Sequence, residues 1–110
     1  MPTLFTRIIQ REIPATIVYE DDHVVAFRDV SPQAPVHILI VPRAEIAGLA
    51  DLPETGDHLA ILNAAKKIAE QEGLTNGYRL VINQGEDGGQ TVPHLHAHLL
   101  GGRPLAWPPG

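Results

Sequence analysis

Cysteine is absent from the chain, so disulfide bonds and zinc sites built on thiolates are excluded. Long apolar runs are missing as well: the stretch 36–42 is among the longest, and it is far too short to cross a bilayer. Positive charge is scarce, with 8 lysines and arginines against 13 acidic residues. A protein that wraps duplex nucleic acid needs a basic face, so we expect neither duplex nucleic acid nor a membrane as a partner.

A secretory signal is not evident either. Arg7, Arg11 and Glu12 interrupt the apolar residues near the amino terminus, and no small-residue cleavage site follows. With cysteine absent, this favours a reducing compartment, and we expect a cytoplasmic protein. The 110 residues predict one domain, 1–110, and their 44% hydrophobic content is that of an ordinary globular protein.

Two segments have the spacing of apolar residues that is typical of amphipathic helices. A short helix is predicted from Leu4 and should end before Pro14, because the residue before a proline avoids helical backbone. A longer helix is predicted over 58–72, where an apolar stripe lies beside a charged face. Asp57 is the expected N-cap, and Gly73 is the expected left-handed residue after the last turn.

Five segments predict β-strands, because they are rich in β-branched and apolar residues or alternate in polarity. They are residues 16–19, 23–29, 36–41, 78–83 and 94–100. Most of the links between them are of hairpin length. The sequence therefore predicts an α+β fold: a five-stranded antiparallel sheet with one long helix and a short amino-terminal helix.

A cluster of histidines dominates the last predicted strand. His94, His96 and His98 alternate with apolar residues, and residues two apart on a strand share a face. All three imidazoles are therefore expected on one face of the sheet. Half of the 6 histidines in the chain fall within this short segment, and an imidazole is chemically versatile near neutral pH.

Three interpretations of this cluster stay open. The histidines could occupy a half-exposed face without any role. They could bind zinc, although strand rise separates the Cα atoms of His94 and His98 by about 13 Å, so that only neighbouring histidines could share an ion. His37 is then the only evident further ligand. The third interpretation, which we favour, is nucleophilic or acid–base catalysis on a charged substrate.

A glycine-rich loop precedes the histidines and supports catalysis on an anion. Gly88 and Gly89 allow the backbone N–H groups of the loop to converge on a phosphate, and Gln90 and Thr91 follow at once. Thr91 adds a hydroxyl donor beside the imidazole face. Taken without the histidines, the same loop would be interpreted as a plain turn.

The segment 94–100 resembles the histidine-triad motif, in which three histidines alternate with apolar residues. The resemblance runs from about Leu4 to the last residue and includes the blocks 31–35, 87–90 and 107–110. These blocks are similar to those of the Hint branch, the histidine triad nucleotide-binding proteins, within the histidine-triad (HIT) family. The resemblance implies the HIT-like fold.

The function that the resemblance implies is hydrolysis of nucleoside 5′-phosphoramidates and aminoacyl adenylates through a nucleotidyl-phosphohistidine. It further implies a purine nucleotide ligand of the AMP type, a homodimer, and no metal or cofactor. A dinucleoside polyphosphate hydrolase of the same superfamily is one competing hypothesis. A non-catalytic AMP-binding regulatory module and a zinc-binding protein are two more.

By position, the resemblance assigns His96 as the nucleophile, His98 as a phosphate contact and His94 as the residue that orients His96 through its carbonyl. His37 completes the histidine cluster, and Asp29 would accept hydrogen bonds from the ribose. The base pocket is assigned to Ile9, Phe27 and Val30, and the surroundings of the phosphate and leaving group to Asn83, Gly89, Gln90 and Thr91.

Overall fold

The structure is a computed structural model that describes residues 2–110. The strands are β1 (Ile17–Glu20), β2 (Val24–Arg28), β3 (Val36–Pro42), β4 (Tyr78–Ile82) and β5 (Ala97–Gly101), and the helices are α1 (Leu4–Ile9) and α2 (Leu59–Gln71). The five strands form one antiparallel sheet in the order β1-β2-β3-β5-β4. The α+β fold predicted from the sequence, with one long and one short helix, is confirmed.

Helix α2 covers one face of the sheet. Every third or fourth residue of α2 is apolar and buried, which gives it a single apolar side. This side packs against alternate residues of the central strands, because side chains two apart on a strand share a face. The core that results contains Ile61, Ala64, Ala65, Ile68 and Ala69 of α2 and Val24, Ala26, Ile38, Ile40, Leu95, Ala97 and Leu99. Neither α2 nor any other helix within 2–110 is long and apolar enough to cross a membrane.

Helix α1 lies on the other face of the sheet. Its buried residues, Phe5 and Ile8, join a second apolar cluster with residues of β2 and β3. His98 points to this same face, because it pairs with Leu39 of β3, a member of the cluster. The two faces thus differ: one carries the larger apolar core under α2, and the other carries the short helix α1 beside imidazole side chains.

The start of β5 differs from the prediction. The strand begins at Ala97, whereas the alternation of the sequence predicts a start at His94. Pro93 cannot donate a backbone hydrogen bond, and the N–H of Leu95 donates to the carbonyl of Ile46, 2.6 Å away, in the loop after β3. Residues 94–96 therefore form an irregular segment that loops hold in place. The other strand boundaries agree with the prediction to within one residue.

The ends of α2 give one wrong prediction and one confirmed prediction. Asp57 is not the N-cap: that position belongs to His58, and the carboxylate of Asp57 lies 3.8 Å from Nδ1 of His23. Gly73 follows the helix with a φ of +70°, as predicted. The N–H of Leu74 then reaches back to the carbonyl of Ala69, which closes the last turn in a Schellman motif.

Replacement of Ile68, which is fully buried in the core beneath α2, tests the packing of the larger face. We expect Ile68→Ala to lower the free energy of unfolding by about 2–5 kcal/mol, because the mutation removes apolar contacts and leaves a cavity. Urea unfolding followed by circular dichroism measures the loss. Lys67→Ala, on the exposed side of the same helix, is the control, and an equal loss in both variants would contradict this packing.

Candidate active site

A cavity of about 420 Å³ opens on the face of the sheet that carries α1. Most of its walls are apolar, as in pockets that bind small molecules. They include Leu4, Phe5, Ile8, Ile13, Pro14, Ala15, Phe27, Val30, Leu39 and Val92. The polar side chains that line it are few: Arg28, Asp29, Thr91, His96 and His98. Such a cavity suits a ligand with an apolar ring and a polar, charged end.

The orientation of His96 is determined by its own backbone neighbour. Its Nδ1 atom lies 2.7 Å from the carbonyl oxygen of His94, and a carbonyl oxygen can only accept a hydrogen bond. Nδ1 therefore carries the proton. In the neutral ring the Nε2 atom then has a lone pair, and no group within residues 2–110 hydrogen-bonds to it. His96 lines the cavity, so the neutral ring offers this lone pair to a ligand there.

His98 has the reverse arrangement. The backbone N–H of Gln33 donates to Nδ1 of His37 at 3.0 Å, so the proton of His37 is on Nε2. That nitrogen donates in turn to Nδ1 of His98 at 2.9 Å, and the proton of a neutral His98 is therefore on Nε2. The rings of His96 and His98 have centroids 5.0 Å apart. An imidazole acceptor and an imidazole N–H donor thus lie side by side at one cavity.

Burial keeps the supporting rings uncharged. The pKa of His98 is lowered to about 4, mainly by burial and also by the neighbouring His96 and His37, while Asp29 opposes the shift. Burial likewise lowers the pKa of His37, again against the effect of Asp29. The pKa of His94 is also lowered by burial, although the Pro42 carbonyl and Glu45 act in the other direction. At neutral pH the hydrogen-bond directions deduced for neutral rings therefore apply.

The glycine-rich loop is held by two side chains that the resemblance assigns to ligand binding. Nδ2 of Asn83 donates to the carbonyl of Gly88 at 2.7 Å, and Nε2 of Gln90 donates to the carbonyls of Ala47 and Val92. A Cβ atom on Gly88 would collide with the backbone of Gln84, so the loop needs glycine there. The N–H groups of both side-chain amides thus donate to backbone carbonyls of the protein and hold the loop in its conformation.

The predicted site residues do not all reach the same cavity. Those that line it together are Phe27, Asp29, Val30, Thr91, His96 and His98. Gly89 and Gln90 line a second cavity of about 430 Å³, which shares Thr91 with the first. Asn83 and Ile9 line neither. Ile8, one position earlier on α1, faces the cavity instead, because Ile9 packs at the edge of the second apolar cluster.

His94 lies behind His96 and does not line the cavity, although the sequence predicts all three imidazoles side by side. Its ring is fully buried, with Nε2 on the carbonyl of Pro42 at 2.9 Å. Phe5 also lines the cavity, and the sequence alone does not identify it as a site residue. Its ring meets that of His96 edge-on at a centroid distance of 4.9 Å, and its helical spacing indicates only that it is buried.

One group among the described residues has donor atoms close enough together to hold a metal ion: Asp29, His37 and His98. Nε2 of His37 lies 3.4 Å from Oδ2 of Asp29 and 2.9 Å from Nδ1 of His98. Tetrahedral zinc ligands lie about 3.3 Å apart, so the group fits zinc as an open three-ligand site. The ion would displace the proton that His37 donates to His98. The zinc interpretation from the sequence combines two neighbouring histidines of the segment 94–98 with His37. The group found contains His37 but only one of the three, His98, and the sequence gives no sign of Asp29 as the remaining ligand.

The family model of the HIT domain matches residues 10–105. The chain belongs to the HIT family. A crystal structure of a HIT family hydrolase from Legionella pneumophila Philadelphia 1 superposes on this HIT protein with a TM-score of 0.95. It covers 99% of this chain and 100% of the other, at 53% identity.

Two plant relatives cover nearly the whole of this HIT protein. Adenylylsulfatase HINT1 of Arabidopsis thaliana is 51% identical, over 99% of this chain and 77% of its own length. A 14 kDa zinc-binding protein of Zea mays is 55% identical, over 99% of this chain and 88% of its own length. The identification from the sequence as a histidine-triad protein is confirmed.

The lowered pKa of His98 predicts a loss of stability in acid. Between pH 6.5 and about 4 the unfolded chain binds a proton at this ring and the folded protein does not, so the free energy of unfolding falls as the pH falls through that window. His98→Gln should flatten this fall. The urea midpoint measured from neutral pH to about pH 4 tests it. An unchanged slope for His98→Gln would contradict the assignment.

Proposed function

We propose that this HIT protein is a nucleoside 5′-phosphoramidate hydrolase in which His96 forms a transient bond to the α-phosphorus. The observation that carries the proposal is that neutral His96 and His98 are opposite tautomers, with the proton on Nδ1 of His96 and on Nε2 of His98. His96 offers a lone pair on Nε2, and His98 offers an N–H beside it. The first is suited to attack phosphorus, and the second to bind a phosphate oxygen.

The cavity has a place for each part of a purine nucleotide such as AMP. The base would lie between Phe27, which is buried, and Val30, which is 99% exposed and therefore available for contact, with Ile8 in the place assigned to Ile9. Asp29 would accept hydrogen bonds from the ribose hydroxyls. Oδ1 of Asp29 already accepts the N–H of Ser31, so the carboxylate is held at the rim of the cavity. The phosphate would then face His96 and His98.

The reaction proceeds in two displacements. Nε2 of His96 attacks the phosphorus, the P–N bond breaks, and the leaving nitrogen takes up one proton from solvent and departs as the amine. Water then attacks the phosphohistidine and the P–Nε2 bond breaks; one proton of the water returns to solvent, and the nucleoside monophosphate and the neutral imidazole are released. Splitting one displacement into two lowers each barrier, and the His98 N–H offsets charge on the phosphoryl oxygens. Thr91 adjoins both cavities and is the proposed donor to the leaving group.

The loop residues assigned to the phosphate take supporting parts in this proposal. Gly89 lines the second cavity, where the leaving group would lie, and its φ of +80° turns the backbone there. Asn83 and Gln90 hold the loop through their amides. His94 orients His96 through its carbonyl oxygen, and His37 orients His98 through its Nε2–H.

Adenylyl sulfate is a second candidate substrate, because the Arabidopsis relative is named as an adenylylsulfatase. Its sulfate would leave from the same α-phosphorus, so the nucleophile would not change.

Zinc binding is a further candidate function, because the Zea mays relative is named for it. Asp29, His37 and His98 would hold the ion, which would act there as a Lewis acid toward a bound oxygen. Dinucleoside polyphosphate hydrolysis and AMP binding without turnover would use the same cavity.

We further propose a single-domain, cytoplasmic homodimer in which strand β4 pairs with its symmetry mate. Strand β4 forms one edge of the sheet, and an edge strand offers unpaired backbone groups to a second chain. Tyr78, at its start, is 45% exposed, and Trp107 in the carboxyl-terminal tail is 81% exposed. Arg79 of β4 donates to the carbonyl of Ala106, which places the tail beside this edge.

The assay that tests the reaction is hydrolysis of a fluorogenic adenosine 5′-phosphoramidate in excess chelator. His96→Ala should lower kcat/KM by about a thousandfold or more, because the nucleophile is lost. His23→Ala, a histidine outside the cavity, should behave as the wild type. Circular dichroism confirms that each variant folds.

Further substrates in the same assay decide among the candidate functions. Faster turnover of adenylyl sulfate or of a diadenosine polyphosphate would assign the enzyme to that substrate, with His96 still required. AMP binding without turnover of any substrate would favour the regulatory module. Activity that chelation abolishes and one equivalent of zinc restores would overturn the metal-free reaction.

The dimer is tested by analytical ultracentrifugation, where we expect the mass of two chains. Tyr78→Asp should shift the equilibrium toward the monomer, because a carboxylate would be buried at the β4 edge. Val30→Asp makes a comparable change at an exposed apolar residue just after β2, which β3 and β5 separate from β4, and should remain dimeric. A wild-type protein that sediments as one chain at all concentrations would contradict the proposed assembly.

A further inference from the structure

A chain of hydrogen bonds connects the protein surface with the buried His94, outside the cavity. Glu45, exposed just after β3, accepts through Oε1 from the backbone N–H of Thr3 and from the hydroxyl of Thr6, both at 2.7 Å. The hydroxyl of Thr3 lies 2.8 Å from Nδ1 of His94 and 3.2 Å from the Thr6 hydroxyl. We call these three residues, Thr3, Thr6 and Glu45, the amino-terminal clasp; none of them lines the cavity.

The direction of each hydrogen bond follows from the groups that can only accept. Nε2 of His94 lies 2.9 Å from the carbonyl of Pro42, so that nitrogen carries the proton. Nδ1 then has a lone pair, which accepts the O–H of Thr3. The O–H of Thr6 is directed to the carboxylate of Glu45. Both nitrogens of His94, whose side chain is fully buried, are satisfied in this way.

The clasp bears on His96 by two routes. His94 presents its carbonyl oxygen to Nδ1 of His96, and the position of that oxygen depends on how the rest of His94 is held. The second route is Phe5, whose ring centroid lies 5.9 Å from that of His94 and 4.9 Å from that of His96. Thr3 is the N-cap of α1, which has 6 residues, so release of Thr3 frees the turn that carries Phe5.

We propose that Thr3, Thr6 and Glu45 are positioning residues for His96: they hold His94 in its Nε2-protonated form and keep its carbonyl oxygen directed at Nδ1 of His96. They touch no substrate. The inference rests on the proposed hydrolase activity only where turnover is measured, because the tautomer of His96 is a property of the ligand-free protein.

Thr3→Val and Thr3→Ser form the decisive pair of variants. Valine is nearly isosteric with threonine but cannot donate to His94 or cap α1, whereas serine keeps the hydroxyl. Long-range ¹H–¹⁵N spectra of the imidazole rings, recorded at mildly alkaline pH, report which nitrogen of each ring carries the proton. We expect the wild type and Thr3→Ser to show His96 as the Nδ1–H tautomer alone, and Thr3→Val to show a mixture of both tautomers.

Turnover of the adenosine phosphoramidate gives the second readout. We expect kcat of Thr3→Val to fall by about tenfold or more with KM changed by less than about twofold, because a misplaced nucleophile slows the chemical step rather than binding. Thr3→Ser should restore kcat. Glu45→Leu keeps the Thr3 cap and removes the acceptor, and should give a smaller loss in the same direction; Glu45→Gln keeps an acceptor oxygen and should restore activity.

Matched controls separate positioning from stability. Thr75→Val and Glu54→Leu make the same chemical changes at exposed residues outside the cavity, and both should keep the wild-type tautomer and kcat. Thermal unfolding of every variant shows how much stability each change costs. A merely structural clasp would lower the Tm of Thr3→Val and Glu45→Leu and leave both the His96 tautomer and kcat unchanged, and that result would overturn the proposal.

Failure of the hydrolase assignment is recognisable in the same experiment. If the wild type does not turn over the phosphoramidate, the proposed function is wrong, and the tautomer spectra alone decide the proposal. A mixture of tautomers in Thr3→Val that serine rescues would then support the clasp, and a single tautomer in all variants would reject it.

Discussion

The hydrogen bond from Nδ1 of His96 to the carbonyl oxygen of His94, 2.7 Å long, is the interaction on which the site depends. It joins a side chain to the carbonyl two residues earlier. A regular strand does not allow this contact, because its carbonyls lie in the plane of the sheet and its side chains stand roughly perpendicular to that plane. The irregular segment 94–96 makes it possible. Strand β5 has to begin late, at Ala97, so that the backbone before it can turn a carbonyl toward the imidazole.

The rest of the molecule holds that segment from two sides. Leu95 is anchored in the core under α2, and its N–H is bonded to the loop after β3. His94 is enclosed on the other side by α1 and by the carbonyl of Pro42. Burial fixes the positions of these rings and also their charge. It lowers the pKa values of His94, His37 and His98 and keeps the rings neutral, and only neutral rings have the lone pairs that accept hydrogen bonds in the network.

Much of this could be predicted from the sequence, because regular elements follow from local patterns. The period of apolar residues predicts α2 and four of the strands to within one residue, and the resemblance to the histidine-triad motif marks the family. The late start of β5 could not be predicted. The polarity of residues 94–100 alternates regardless of whether the backbone pairs, and the bond from Leu95 to Ile46 is a tertiary contact with no local signature.

The site shows the same division between local and tertiary information. His96 and His98 are evident from their alternation. Phe5 and Thr6 belong to a helix whose pattern indicates only which side is buried, and Glu45 reaches that helix from the loop after β3 through a tertiary contact. The resemblance assigns Ile9 to the base pocket, whereas Ile8 lines the cavity, because successive helical residues point about 100° apart and only one of these two faces it. Asp57 is a good capping residue by type, but the helix begins at Leu59, one residue later than predicted, so the N-cap position passes to His58.

The partner of His96 is a main-chain oxygen, and this affects how the protein can change over generations. A side-chain partner can be deleted by a single codon change, but every amino acid that replaces His94 supplies the same carbonyl. Mutation can therefore reach this contact only indirectly, by displacing the backbone. Sequence drift around His96 is buffered accordingly, and the cavity walls can diverge toward new ligands while Nδ1 of His96 keeps its acceptor.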